Sequence, residues 1–291
     1  MVTVAQAFQQ FLTKLELTDA ERADAVRQHD VVRANLRAQL PGGVDTDFLT
    51  GSYMRRTAIR PLNDIDVFLV MNESRHGHLR GQDPSVCLDM VRGALDRAYQ
   101  NKVPTRPQGR SVNIAFSGTG IGYDIVPAFA HASGGYLIPD RERRTWIRTD
   151  PHKHEEILLA ANQRAGGMLN PLIKAAKRWR DRSETPLGSF HLEVMAYEAF
   201  VSAPRSYADG LGALFVFLYD RTQRSCADPA RLGANVDAGV ASQERDATLR
   251  GLHDALTRSA RALAFDSVHR TEEAHGLWRS LLGEDYREKG I

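Results

Sequence analysis

The sequence predicts an α+β protein: a mixed sheet with helices in the first half, followed by a helical lobe. Three observations carry this. A long apolar run, Val67-Phe68-Leu69-Val70-Met71, follows polar punctuation and has the length and β-branched content of a buried central strand. Two further strand-like runs, 111–116 and 122–129, are joined by Ser117-Gly118-Thr119-Gly120, which predicts a hairpin. From about Asp150 onward the texture is helical. The predicted boundaries are 1–149 for the sheet core with its N-terminal helical brace and 150–291 for the helical lobe.

In chain order, residues 3–15 read as a first helix. A second starts at Thr18, with Glu21 completing a capping-box pattern, and runs to about Leu40, where Pro41-Gly42-Gly43 stops it. The stretch 48–71 follows, FLTGSYMRRTAIRPLNDIDVFLVM, with a Gly-Ser turn at Gly51-Ser52 and a short helix expected over 53–59. Residues 72–83 read as a loop and 84–98 as a helix with Val86, Met90, Ala94 and Leu95 inward. Asp150-Pro151 opens a helix that ends at Gly166-Gly167, and Asn170-Pro171 opens another through Arg182. Ser189 is expected to cap a helix to about Ala203. Residues 211–219 are apolar all round and read as an interior helix, 225–239 as a loop. Two amphipathic helices finish the chain.

The chemistry concentrates in 48–71. Asp64 and Asp66 are two residues apart on a strand, so their carboxylates share a face about 7 Å apart along it. At an effective dielectric near 20 and a separation of about 6 Å they repel by about 3 kcal/mol. A fold seldom accepts that at the mouth of its central strand without a neutralising cation, and Mg²⁺, a hard ion held by carboxylates and substrate phosphates, suits the donors. The alternative is a pair of solvated strand-end caps. Upstream, Gly51 allows close approach of the backbone to a ligand, and Ser52 at a helix start offers a hydroxyl and free N–H groups to a phosphate. Asp124, inside the apolar run 122–129, is a third acid. Three carboxylates from adjacent strands can bridge two metal ions.

Composition narrows the classes. The net charge of +2 does not advertise nucleic-acid binding for the chain as a whole; the positive charge is local. Lys174, Lys177 and Arg178 fall on one helix face, which is either a solvated face or a cationic wall for a triphosphate. Two cysteines, Cys87 and Cys226, have neither metal nor disulfide spacing. The first residues lack signal-peptide character and no stretch is long and apolar enough to span a membrane, so a cytoplasmic setting is expected. His152, His154 and His191 do not have the spacing of a zinc site.

Gly51-Ser52, eleven residues, then Asp64-x-Asp66, with Asp124 on a later strand, resembles the polymerase-β-like nucleotidyltransferases. The longer match, Gly51-Ser52-Tyr53 through Arg56-Thr57-Ala58-Ile59 to Asp64-Ile65-Asp66-Val67, resembles the bacterial CD-NTases of CBASS anti-phage defence. These are relatives of cGAS and oligoadenylate synthase that make nucleotide second messengers. Ile173-Lys174-Ala175-Ala176-Lys177-Arg178-Trp179 is similar to the family's Ile-Arg-x-x-Lys-Tyr-Trp helix, with Arg178 in place of the tyrosine. Ser189-Phe190-His191-Leu192-Glu193 resembles its Ser-Tyr-x-Leu-Glu segment, and Asp228-Pro229 with Asn235-Val236 resembles its late loop.

The resemblance implies a polymerase-β-like nucleotidyltransferase core and an oligoadenylate-synthase-like helical C-terminal lobe. It implies that Asp64, Asp66 and Asp124 are catalytic and bind two Mg²⁺ ions, with Mn²⁺ able to substitute. Gly51, Ser52, Lys177 and Ser189 would hold the donor triphosphate. Nucleoside triphosphates would serve as donor and acceptor, pyrophosphate would leave, and a cyclic or linear oligonucleotide would be read by a separate effector protein. No membrane partner is implied. The local basic clusters leave room for a nucleic-acid activator, but the net charge gives no argument for one. The competing readings are nucleotide transfer to an RNA end or a protein, and an inactive RNA-binding protein of the same fold.

Overall fold

The computed structural model describes residues 2–287. In chain order the helices are α1 (Val4–Leu15), α2 (Asp19–Gln39), α3 (Gly51–Met54), α4 (Glu73–His76), α5 (Pro84–Ala98), α6 (Pro151–Arg164), α7 (Leu169–Arg182), α8 (Ser189–Ala196), α9 (Tyr207–Thr222), α10 (Ser242–Ser267) and α11 (Thr271–Leu282). The strands are β1 (Val44–Thr50), β2 (Asp64–Met71), β3 (Thr105–Pro107), β4 (Val112–Ala115), β5 (Gly122–Ala130), β6 (Tyr136–Asp140) and β7 (Thr145–Thr149). Two compact units result. One comprises Leu17–Arg56 and Pro61–Glu155; the other comprises the residues up to Glu16, Thr57–Arg60, and the chain from Glu156 onward.

The first unit is built on a mixed sheet of order β1-β2-β5-β4-β3, with β6 paired to β5 and β7 to β6. The central pair, β2 and β5, is parallel, and the other pairings are antiparallel. Strand alternation divides the side chains of β2. Ile65, Val67, Leu69 and Met71 are buried toward one face, with Tyr123 and Ile125 of β5. The Tyr123 hydroxyl donates to the Ala25 carbonyl of α2 at 2.7 Å, which places α2 on that face. The opposite face carries Asp64, Asp66, Phe68 and Val70. Beyond the acids it is closed by Phe68, Val126, Ala128 and Ile138, with Phe48 stacked on Phe68 at 5.3 Å between ring centroids. The β4–β5 hairpin has the predicted turn; β3, β6 and β7 are short strands that no periodicity marks.

The second unit is helical. Phe8 of α1 packs edge-on against Trp278 of α11 at 4.8 Å, and α1, α7, α8, α9, α10 and α11 share one core. The apolar stripe of α1, Val4, Ala7, Phe8, Phe11, Leu12 and Leu15, belongs to that core, so α1 packs with the helical unit while α2 packs with the sheet. Both open with a Thr capping box, at Thr3 and Thr18.

Several expectations are corrected. The helix predicted over 53–59 ends at Met54, because Arg56 takes a left-handed φ of 57° that no helix continues through. Residues 72–83 form the short α4 and a 3-10 turn rather than an irregular loop. In α5, Cys87, Leu88 and Val91 face inward with Ala94 and Leu95, whereas Val86 is 39% exposed. The helix after Ser189 stops at Ala196, and its N-cap is Gly188, with Ser189 the first helical residue. Asn170 likewise does not cap: α7 begins one residue earlier, and the Asn170 N–H bonds the Asn162 side chain at 3.0 Å. α9 runs longer than 211–219 and is not buried all round, since Val216 is 56% exposed. Among the described residues no helix is long and apolar enough to cross a membrane.

His29 of α2 is buried 3.5 Å from Asp47, whose carboxylate is also held by Arg37 at 2.8 Å. Burial holds the His29 pKa below its ordinary 6.5 despite the Asp47 charge. The unfolded chain therefore takes up this proton first, so the stability contributed by neutral His29 is lost as pH falls through about 6.5. Thermal melting of His29→Gln is expected to decline less than wild type between about pH 7 and about pH 5. Parallel melting curves would contradict this.

Candidate active site

The sheet register assembles the site. Asp66 on β2 pairs with Asp124 on the parallel strand β5, and Thr50 on β1 pairs with Asp66 from the other side. Asn113 on β4 pairs with Asp124, and Arg106 on β3 pairs with Asn113. Arg106, Asn113, Asp124, Asp66 and Thr50 thus form one row across five strands. Residues directly opposite in register project to the same face. Asp64 lies one step along β2 on that face, opposite Gly122.

Gly51 directly follows Thr50 and therefore stands at the end of this row. It has φ +71°, and a Cβ there would overlap the Asp66 carboxylate. Both the backbone conformation and the close approach require glycine. Ser52 follows in α3, a single turn too short to supply a helix dipole, so a phosphate here would be met by the turn and the Ser52 hydroxyl alone.

The electrostatics follow from the packing. Asp64 is exposed, Asp66 half-buried, and Asp124 has its Oδ1 bonded by the Asn113 side-chain amide at 2.8 Å. Burial raises the Asp124 pKa, the charge of Asp64 raises it further, and the Asn113 bond, Arg106 and Gln108 work in the opposite direction. The carboxylates offer only hard oxygen donors, on neighbouring strands of one face, and a carboxyl already strained by burial and a like charge gains most from a bound cation. The residues present therefore fit a divalent metal. Among the described residues no three His, Cys, Asp or Glu side chains converge into a single ligating group, Asp124 being turned to Asn113.

Lys177 and Ser189 lie in the helical unit. Lys177 is 3% exposed, paired with the fully buried Glu193 at 2.6 Å, and bonded to the Thr57 carbonyl at 3.0 Å. The basic face of α7 is thus no solvated face. Ser189 Oγ accepts from Arg180 at 2.6 Å. The Asp228-Pro229 loop edges a cleft in the same unit with Arg164, Tyr197, Arg221 and Arg231. The His152 ring lies 4.5 Å from that of Phe48, tilted by 31°, and serves packing. Sequence reasoning missed Asn113 and Arg106. The hairpin could have located Asn113, since the turn at 117–120 sets which residue of β4 faces Asp124; Arg106 is on a strand of three residues with no pattern of its own.

A glycine turn abutting a row of strand carboxylates on a mixed sheet, joined to a helical second unit, defines a nucleotidyltransferase of the polymerase-β-like class. The chain belongs to the Second Messenger Oligonucleotide or Dinucleotide Synthetase family, SMODS, whose model matches residues 1–162. It is a cyclic oligonucleotide synthase, a CD-NTase of the kind found in CBASS anti-phage signalling. Such enzymes are typically metal-dependent.

The chain is 29% identical to a cyclic AMP-AMP-AMP synthase of Acinetobacter sp., over 98% of this chain and 86% of that protein. It is 26% identical to the CBASS oligonucleotide cyclase CdnC of Escherichia coli, over 81% of each. Among solved structures, E. coli CdnC with ATP has a TM-score of 0.77 at 21% identity, covering 98% of this chain and 99% of that one. The Vibrio cholerae DncV cyclic AMP-GMP synthase with a linear intermediate has a TM-score of 0.78 at 14% identity, covering 98% and 97%. CdnC has also been solved in complex with a HORMA protein.

Because burial raises the Asp124 pKa, the native state holds that proton longer than the unfolded chain. Asp124 therefore costs stability as pH rises through about 3.8 and above, in full once the folded pKa is passed. With metal chelated, Asp124→Asn is expected to melt above wild type near pH 7, and the gap should close toward pH 3. A gap independent of pH would contradict the assignment.

Proposed function

We propose that this enzyme joins ATP into a cyclic oligoadenylate, with cyclic AMP-AMP-AMP as the expected product, and that it acts in CBASS signalling. The observation that carries the reading is the in-register row of Asp66 and Asp124 beside Gly51, with Asp64 one step away on the same face. The choice of adenine is carried over from the Acinetobacter relative. Phosphoryl transfer depends on positioning and charge neutralisation more than on covalent chemistry. A ribose hydroxyl of one nucleotide would attack the α-phosphate of another. The new P–O bond would form as the α–β bond breaks, pyrophosphate would leave and the hydroxyl proton would be lost.

In this reading Asp64, Asp66 and Asp124 hold two Mg²⁺ ions, or Mn²⁺ in their place, and Asp124 helps take up the hydroxyl proton. Bound cations of this kind neutralise the triphosphate and the charge that builds on the leaving group. Gly51 and Ser52 take the donor phosphates at the turn. The assignment of Lys177 and Ser189 to the triphosphate rests on the family motif, and Lys177 would have to share its ammonium with Glu193 and Thr57. The product would act on a separate effector, and a HORMA-type partner is carried over from the E. coli relative.

Purified protein incubated with Mg²⁺ and the four ribonucleoside triphosphates should release a phosphatase-resistant oligonucleotide with the mass of three cyclised AMP units. Asp64→Asn/Asp66→Asn should lose at least about 10²-fold of this activity with an unchanged melting profile in chelator. Excess chelator should stop wild type, and added Mg²⁺ should restore it. A product that survives chelation would end the metal assignment. A product of another mass would correct the base choice.

Lys177→Met and Ser189→Ala should weaken ATP binding more than AMP binding, measured by calorimetry. Equal losses for both ligands would remove these residues from the triphosphate site.

A further inference from the structure

The four residues Thr57–Arg60 belong by their contacts to the helical unit, although the chain on both sides of them belongs to the sheet unit. They form no helix or strand, yet Thr57 is fully buried and Ala58 is 7% exposed. Ile59 packs against the helical core. Irregular backbone at this depth must have its polar groups satisfied. Lys177 Nζ donates to the Thr57 carbonyl at 3.0 Å and lies 3.4 Å from its hydroxyl. Arg178 donates to the Arg60 carbonyl at 2.7 Å, and the Arg60 N–H donates to the Leu15 carbonyl at 3.1 Å. Lys174, one turn earlier on α7, pairs with Glu16 at 2.5 Å, next to that same Leu15. All three cations of the α7 face are thus engaged in holding this segment or the chain end that meets it.

Lys177 is held in turn by Glu193 of α8, the one carboxylate in the fold whose side chain is completely buried among the ion pairs described. A buried ion pair seldom stabilises a fold more than an apolar pair of the same volume would. What it does supply is a fixed position for the ammonium, which an apolar side chain cannot give. The segment it fixes is covalently continuous with Ser52, five residues before Thr57, and with Asp64, four residues after Arg60. It is the only covalent link from the Gly-Ser turn to the Asp64-x-Asp66 strand.

We propose that Glu193 is a positioning residue for nucleotidyl transfer. It holds Lys177 against the Thr57 carbonyl and so fixes the strap, Thr57–Arg60, that joins the phosphate turn to the acid strand. The assignment rests on the reading of those two elements as the reacting site. Glu193 touches neither substrate nor metal in this account; it acts through Lys177.

The test is hydrogen exchange by mass spectrometry on nucleotide-free protein, with steady-state kinetics on the same samples. In Glu193→Gln, peptides spanning residues 55–62 should exchange about tenfold faster or more, the loss expected when a charge-assisted bond is removed. Peptides of β2 and β5 should keep wild-type protection. kcat should fall by about tenfold or more with KM for ATP changed by less than about threefold, the signature of lost alignment rather than lost binding. Should Glu193→Gln fold poorly, Lys177→Met/Glu193→Leu replaces the pair by apolar side chains of similar size. That variant leaves no unpaired buried charge and should still show the faster strap exchange, because the Thr57 carbonyl has lost the Lys177 ammonium. Wild-type strap protection in both variants would overturn the proposal, as would a loosened strap with unchanged kcat. A wild-type protein that makes no oligonucleotide would instead overturn the proposed function and leave the exchange result readable by itself.

Discussion

The structure depends on one register. Because β2 and β5 run parallel and pair Asp66 with Asp124, two carboxylates stand side by side on adjacent strands, with a third two residues along β2. Adjacent strands are about 4.8 Å apart, so no rotamer choice removes the mutual repulsion entirely. The fold accommodates it locally. Asn113 bonds Asp124, Arg106 extends the same row on the outer strand, and Gly51 leaves room for the Asp66 carboxylate where any side chain would displace it. Farther along the same face the sheet is apolar and aromatic. The polar chemistry is confined to the ends of β2 and β5 at which both strands begin.

The helical unit meets a different constraint. It takes in four residues of irregular backbone, of which Thr57 and Ala58 are buried, and a buried carbonyl without a partner would cost about 1–3 kcal/mol. The basic face of α7 answers this. Lys177 and Arg178 satisfy the Thr57 and Arg60 carbonyls, and Glu193 neutralises the buried ammonium. A motif that resembles a phosphate-gripping helix is therefore, in this structure, also a backbone clamp. Lys177 is buried because its partners are a main-chain oxygen and a carboxylate inside the unit.

Much of this was legible in the residues themselves. The strand at Val67 was readable from its unbroken apolar run, the hairpin from Ser117-Gly118-Thr119-Gly120, and α2 and α6 from their caps. The side-chain period of a strand put Asp64 and Asp66 on one face without any coordinates. Elements whose signal is weak or conflicting were not readable. α3 stops early because Arg56 adopts a left-handed conformation that its residue type does not announce. α8 ends at Ala196 although the apolar pattern continues through Ala199 and Phe200, because the chain turns there to reach α9.

The sequence by itself determined the identity and order of the chemical groups: a glycine turn, a pair of carboxylates on a buried strand, a third on a later strand, and a helical second half. Each of these is written in local composition and in periods of two or about 3.6 residues, which depend only on the backbone. Tertiary structure alone decided that Asp124 stands beside Asp66 and not a step away, that Asn113 and Arg106 complete the row, and that α1 joins the helical core. It also decided that Lys177 is buried against Glu193 and Thr57. These are pairings between residues distant in sequence, set by strand register and by packing, and no local pattern encodes which partner a side chain will meet.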